Sequence, residues 1–127
     1  MTTRNQQFAA KAFEQVSSLN QDPGRNEAFQ AKYGSLAHRL PFLVRSAGLA
    51  QALEFVAARS GEEGTLILNH LAINLNRNDG RTLRDRVRSA PLNEYMRLTH
   101  DILTVLQWYK RFVQSVLDIE PGEDNPE

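Results

Sequence analysis

The sequence predicts an all-α fold: a single-domain bundle of about six helices with a long helix at its C-terminal end. Apolar residues recur at steps of three and four along most of the chain, most plainly in Tyr95, Leu98, Ile102, Val105, Tyr109, Phe112 and Val116. Between the periodic stretches lie short turn-rich clusters, NQDPGRN at 20–26 and NRNDG at 76–80. The 127 residues are enough for one domain that buries roughly two-thirds of its unfolded surface. No internal repeat and no second domain is visible.

Phe8, Ala12, Val16 and Leu19 mark the first helix, which NQDPGRN closes. The second begins near Asn26 and sets Tyr33, Leu36, Ala37 and Leu40 on one face. Pro41 suits the first turn of a new helix, where its missing N–H has no intrahelical partner to lose. Leu43, Val44 and Ala47 follow as a short apolar stripe, and Gly48 can take the left-handed conformation that ends a helix. From Leu49 a further helix runs through Ala52, Leu53, Val56 and Ala57.

Residues 60–64, with two glycines and two glutamates, read as a solvated loop. The apolar run 66–75 is ambiguous between strand and helix, but Leu68, Leu71 and Leu75, with no valine among them, favour a buried helix. Thr82 with Asp85 resembles a capping box opening a short arginine-rich helix through Arg88. The last helix spans about 91–117, and Leu103, Leu106, Val113 and Leu117 widen its seam, so more than one side is buried. Residues 1–117 are the helical domain and 118–127 an acidic, disordered tail.

The formal net charge of zero hides a division. Residues 1–117 hold all 15 Lys and Arg against 10 of the 15 carboxylates, an excess of five positive charges. Twelve of those cations are arginine, whose planar fork suits phosphate and carboxylate better than a lysine point charge does. A basic body with an acidic tail hints at nucleic acid. The absence of cysteine fits a reducing compartment and excludes thiolate chemistry. Apolar runs are too short for a membrane span, and the polar MTTRNQQFAAKAF start lacks a signal-peptide core, so a soluble cytoplasmic protein is expected.

Catalysis finds little support. His38, His70 and His100 lie on different helices, and none has a His or Glu four residues away to form a two-ligand metal face. They read as ordinary surface or half-buried histidines. His100 and Asp101 are neighbours, so on a helix they diverge by about 100° and cannot form an orienting pair. NRNDG fails as a calcium loop, because it puts Leu75 and Arg77 where oxygen ligands are required. No phosphate-cradling glycine loop or nucleophile elbow is present. No enzyme, metal or cofactor is expected.

Two basic constellations remain. Arg77, Arg81, Arg84, Arg86 and Arg88 are opposed only by Asp79 and Asp85, and fit either a solvated face or a site. Lys110 and Arg111 follow Trp108 and are flanked by Tyr109 and Phe112, which fits a nucleic-acid platform or a core stripe with cations reaching out beside it.

Two longer stretches carry a resemblance. KYGSLAHRLPFLVRSAGLAQAL, 32–53, resembles the Lys-x-x-x-Leu-x-x-x-Leu-Pro-x-Leu-x-Arg-x-x-Gly-Leu-x-Gln segment of the small subunit of type III-B CRISPR effector complexes, the Cmr small subunit family. YMRLTHDILTVLQWYKRF, 95–112, is similar to that family's C-terminal Tyr-Arg-x-x-Thr-x-Glu-x-Leu…Trp-Leu-Lys-Arg-Phe helix, and AAKAFEQV at 9–16 agrees more loosely with its first. Met96, Asp101 and Tyr109 depart from the pattern, where the family has Arg, Glu and Leu. Residues 54–90 show no resemblance.

The resemblance implies a non-catalytic all-α subunit, present in several copies beside a large subunit and backbone-forming subunits. There it would hold guide and target RNA by their backbones in antiviral defence. Its expected RNA-binding residues are Lys32, Arg39, Arg45, Lys110 and Arg111, forming one discontinuous basic surface, with Pro41, Gly48, Leu49 and Trp108 as structural positions. Two rival readings stand beside it. One is a helical adaptor that binds a partner protein through the apolar seam of the last helix. The other is a DNA-binding module that reads with the arginine-rich helix, which would require Arg84 and Arg88 to protrude unobstructed.

Overall fold

The computed structural model describes residues 2–122. It contains six helices and, among the described residues, no strand: α1 (Arg4–Gln21), α2 (Glu27–Ala47), α3 (Leu49–Arg59), α4 (Gly61–Asn74), α5 (Gly80–Ser89) and α6 (Leu92–Ser115). The long α6 lies against α1 and α2. On its other side α2 meets α3 and α4, and α5 rests on α4 and α3.

Local chemistry sets most boundaries. Thr3 opens α1 with a reciprocal capping box: its hydroxyl accepts from the Gln6 N–H, and the Gln6 side chain accepts from the Thr3 N–H. Asn26 caps α2 through the Phe29 N–H. Gly48, at φ 90°, both ends α2 and precedes α3, so the expected helix stop falls where the sequence places it. Leu49 begins α3 and is buried. No helix among the described residues is long and apolar enough to cross a membrane.

Four local expectations are corrected. Pro41 does not start a helix; it sits inside the continuous α2. Its ring is buried with Leu40 and Val44, and the packing of α2 against three neighbouring helices outweighs the backbone hydrogen bond that proline forfeits. Residues 60–64 are no loop, because Gly61–Asn74 is one helix whose first turn carries Glu62 and Glu63, favourable at the positive end of the helix dipole. The cap of α5 is Asp79, not Thr82. Its carboxylate accepts from the Thr82 N–H at 2.9 Å, a bond that lowers its pKa. His70 is neither exposed nor half-buried but buried, sharing a 2.7 Å hydrogen bond with the Tyr33 hydroxyl.

The buried helix expected within 66–75 is present as part of α4, and α6 matches the predicted long helix closely. Leu98, Ile102, Val105, Leu106, Tyr109 and Val113 are all buried. That seam faces α1 and α2, so the surface proposed for the adaptor reading is interior. Trp108 stacks on Phe112, with ring centroids 5.6 Å apart, and its indole N–H donates to Asn5 on α1. It fastens α1 to α6.

Past α6 the chain turns at Asp118, φ 61°, and Ile119 is buried against Gly34 of α2, although the expected tail begins at 118. The His38 imidazole bonds the Ile119 carbonyl at 2.9 Å. Residues 123–127 of that expected tail lie outside the described residues. A Cβ on Gly34 would fall 2.8 Å from two Ile119 side-chain carbons. Gly34→Ala should therefore displace residues 118–122 and speed their proteolysis. Global stability should change by no more than about 1 kcal/mol, because alanine's helix propensity offsets the lost contact. Unchanged cleavage would mean that the clash is absorbed elsewhere.

Candidate nucleic-acid interface

The α2–α3 hairpin is the element that positions cations. The two helices run antiparallel from the Gly48 corner, so residues at similar distances on either side of it face one another. Lys32 and Arg39 are seven residues apart on α2, which leaves them about 20° apart around the helix axis. Arg59 ends α3 opposite them. The three line an open cleft of about 410 Å³ with Ser35, Leu36, Ser60, Gly61 and Glu63. None of the three cations makes an ion pair or hydrogen bond among the described residues; Glu63 is the carboxylate that shares the cleft. The N-terminus of α4 at Gly61 adds the positive end of a helix dipole.

The expected five-residue surface is thus divided. Lys32 and Arg39 come together and recruit Arg59. Arg45 follows Arg39 by six residues, which turns it about 120° away around α2. Pro41 does not hold the pair across a corner between two helices, since α2 continues through it. Lys110 and Arg111, adjacent on α6, diverge by about 100°, so one lies away from the other's surface.

Most of the arginine cluster is paired with acids, chiefly from neighbouring helices. Glu54 of α3 accepts from Arg84 at 3.0 Å and from Arg88 at 2.6 Å. Arg88 also bonds Asp85, and Arg86 chelates Glu94 with two N–H donors. Arg77 lies 3.7 Å from the same Glu94. These bonds raise the pKa of Arg86 and lower that of Glu94. Arg84 and Arg88 fold back onto α3 rather than protrude, which removes the geometry a DNA reader needs.

His38, His70 and Asp101 are engaged in the scaffold, while His100 is exposed. Burial, with Arg25 adding like-charge repulsion, lowers the His70 pKa to about 4. Asp101 is buried and bonds Arg4 at 2.7 Å; its 3.7 Å separation from His100 is too long for a hydrogen bond. No group of three His, Asp or Glu side chains among the described residues is placed to hold a metal ion.

Comparison with known proteins agrees with this architecture. Residues 4–116 match the profile of a family described as CRISPR-associated protein (Cas_Cmr5). The chain belongs to the Cmr5 family. Its sequence is 42% identical over 118 residues to the CRISPR system Cmr subunit Cmr5 of Thermus thermophilus, covering 93% of this chain and 99% of that one. A crystal structure of a Cmr5 family protein from the same organism superposes with a TM-score of 0.82, at 42% identity over 92% of this chain and 99% of its own. This is the family whose small subunit the segments 32–53 and 95–112 resemble. The Cmr5 match also spans residues 54–90, where the sequence offered no resemblance.

Arg59 is the cation lining the cleft that the sequence did not single out. The signal was present: Arg59 lies eleven residues beyond Gly48 and Arg39 nine before it, so an antiparallel hairpin hinged at Gly48 brings them level. Placing a helix start at Pro41 concealed that symmetry.

Proposed function

We propose that this Cmr5-family chain is the non-catalytic small subunit of a type III-B CRISPR complex and that it holds guide–target RNA by the phosphate backbone. Its partners are the large subunit, the backbone-forming subunits and further copies of itself, acting in the cytoplasm in antiviral defence. The observation that carries the reading is the cleft where Lys32, Arg39 and Arg59 converge on rigid helices without acid partners of their own among the described residues. Three cations against one carboxylate in an open cleft suit a polyanion that passes along the surface. Sequence in such complexes is read by base pairing, so a subunit that touches only phosphates needs no base code. Cleavage is assigned to another subunit; Asp101, His70 and Glu54 are held in structural bonds here.

In this reading Arg45, Lys110 and Arg111 reach other stretches of the backbone, each from its own face. The test is charge reversal in the reconstituted complex. Lys32→Glu with Arg39→Glu and Arg59→Glu should leave assembly intact and weaken target binding. It should also flatten the slope of log affinity against log salt by about 2, at about 0.7 per lost phosphate contact on a single strand. Arg45→Glu with Arg111→Glu should have a smaller effect. A triple variant that assembles and keeps wild-type affinity and slope would remove the cleft from consideration.

A further inference from the structure

The basic cleft continues directly into an apolar one. Leu36 and Arg39 line both, and the second cleft, of about 500 Å³, adds Leu40, Phe42, Leu43, Phe55 and Val56. Two of these are aromatic and strongly exposed, Phe42 at 72% and Phe55 at 48%. Large apolar rings held in water on a well-packed helix hairpin are costly unless something covers them.

Their surroundings say what. Each ring has an arginine one helical turn away on its own helix: Arg39 three residues before Phe42, and Arg59 four residues after Phe55. The Arg59 guanidinium already lies 5.7 Å from the centre of the Phe55 ring. Because α2 and α3 are antiparallel, both rings lie nearer the Gly48 corner and both arginines farther from it. Ring and cation are thus separated by about 4.5–6 Å along the hairpin axis. Lys32 adds a third cation about 10 Å farther along α2. A row of cations beside a row of exposed rings matches a polymer with phosphates along one edge and flat apolar faces along the other. A duplex does not present that pattern, because its bases are stacked and paired inside.

We propose that the α2–α3 hairpin binds an unpaired RNA segment, with bases stacked on Phe42 and Phe55 while the adjoining phosphates lie along Arg59, Arg39 and Lys32. The inference rests on the backbone-holding reading and assigns this cleft to unpaired RNA rather than to the guide–target duplex itself. Base–aromatic stacking tolerates any sequence, since every base has a π face. Single strands are the form of RNA whose bases can be splayed onto such rings.

Phe42→Leu and Phe55→Leu keep the surface apolar and uncharged while removing the stacking face, and both positions are exposed enough for the chain to fold. Binding of the 127-residue chain would be measured at low salt to a short single-stranded RNA carrying 2-aminopurine, to the same strand with abasic sites, and to a duplex of equal length. Wild type should bind the base-bearing strand tightest and quench 2-aminopurine. Each leucine variant should weaken that binding about tenfold, from the ordinary strength of base–aromatic stacking. Affinity for the abasic strand and the salt slope should not change.

Equal binding of wild type and leucine variants to the base-bearing strand would overturn stacking even if Lys32→Glu/Arg39→Glu/Arg59→Glu abolished binding, which would leave the backbone reading standing. The converse, leucine variants weakened and the triple variant not, would uphold stacking and remove the cationic row. No single-strand binding by wild type at low salt would overturn the proposal. So would release of a protein subunit from the complex by Phe42→Ser with Phe55→Ser while RNA affinity stays unchanged, which would make the cleft a protein interface.

Discussion

Tyr109→Ala should destabilise the fold by about 3–5 kcal/mol, the usual cost of removing a large buried aromatic. Against a typical domain stability of about 5–15 kcal/mol, that loss approaches unfolding. Tyr109 is fully buried in the seam of α6, where α1 and α2 meet the long helix. Its hydroxyl donates to the Gln15 side-chain oxygen at 2.7 Å, and the Gln15 amide in turn donates to the His70 carbonyl on α4. One ring therefore anchors α1, α4 and α6 together. Burial raises the Tyr109 pKa, so the hydroxyl stays protonated and remains a donor. Tyr109→Phe keeps the volume and breaks only the chain of hydrogen bonds, for a loss of about 1 kcal/mol. Urea unfolding of both variants separates packing from hydrogen bonding. A loss below about 1 kcal/mol for the alanine variant would mean that the seam collapses to refill the space.

Acidification should remove about 3 kcal/mol of stability through His70 alone, at about 1.4 kcal/mol per pKa unit. In the fold the ring has a pKa of about 4, because burial penalises its charged form. The unfolded chain takes up the proton near 6.5. The unfolded state thus binds more protons between these values, so stability is full above pH 6.5 and falls as pH drops towards 4. Below pH 4 the two states titrate alike at this residue and the loss stops growing. Carboxylates with lowered pKa, among them Asp79 and Glu94, add their own acid-side losses at still lower pH. The difference between wild type and His70→Gln isolates the histidine: the variant should lack the slope between pH 6.5 and 4. If both curves run parallel across that window, the Tyr33–His70 bond persists with the ring charged.

Most of the helices were legible because their causes are local. The spacing Phe8, Ala12, Val16, Leu19 and the seam of α6 are intrahelical patterns, and these residues are buried or partly buried against the core. Gly48 was readable as a boundary for the same reason, since only glycine takes its backbone angle without strain. Pro41 misled because a local penalty of this size can be outweighed by tertiary packing on several sides. Residues 60–64 misled because glutamates that read as loop solvation equally suit the first turn of a helix.

By itself the sequence determined the fold class, the long last helix and the resemblance of residues 32–53 and 95–112 to the Cmr small subunit. These depend on periodicity, capping and motif spacing, all contained within one or two turns of chain. Only the tertiary structure decided which cations act together. Arg84 and Arg88 are both drawn to Glu54, thirty or more residues away. Arg39 gains Arg59 from the opposite arm of a hairpin and loses Arg45 on its own helix. A long charged side chain reaches whatever packing places beside it, so its partners follow from how helices cross, which sequence spacing along one helix does not encode.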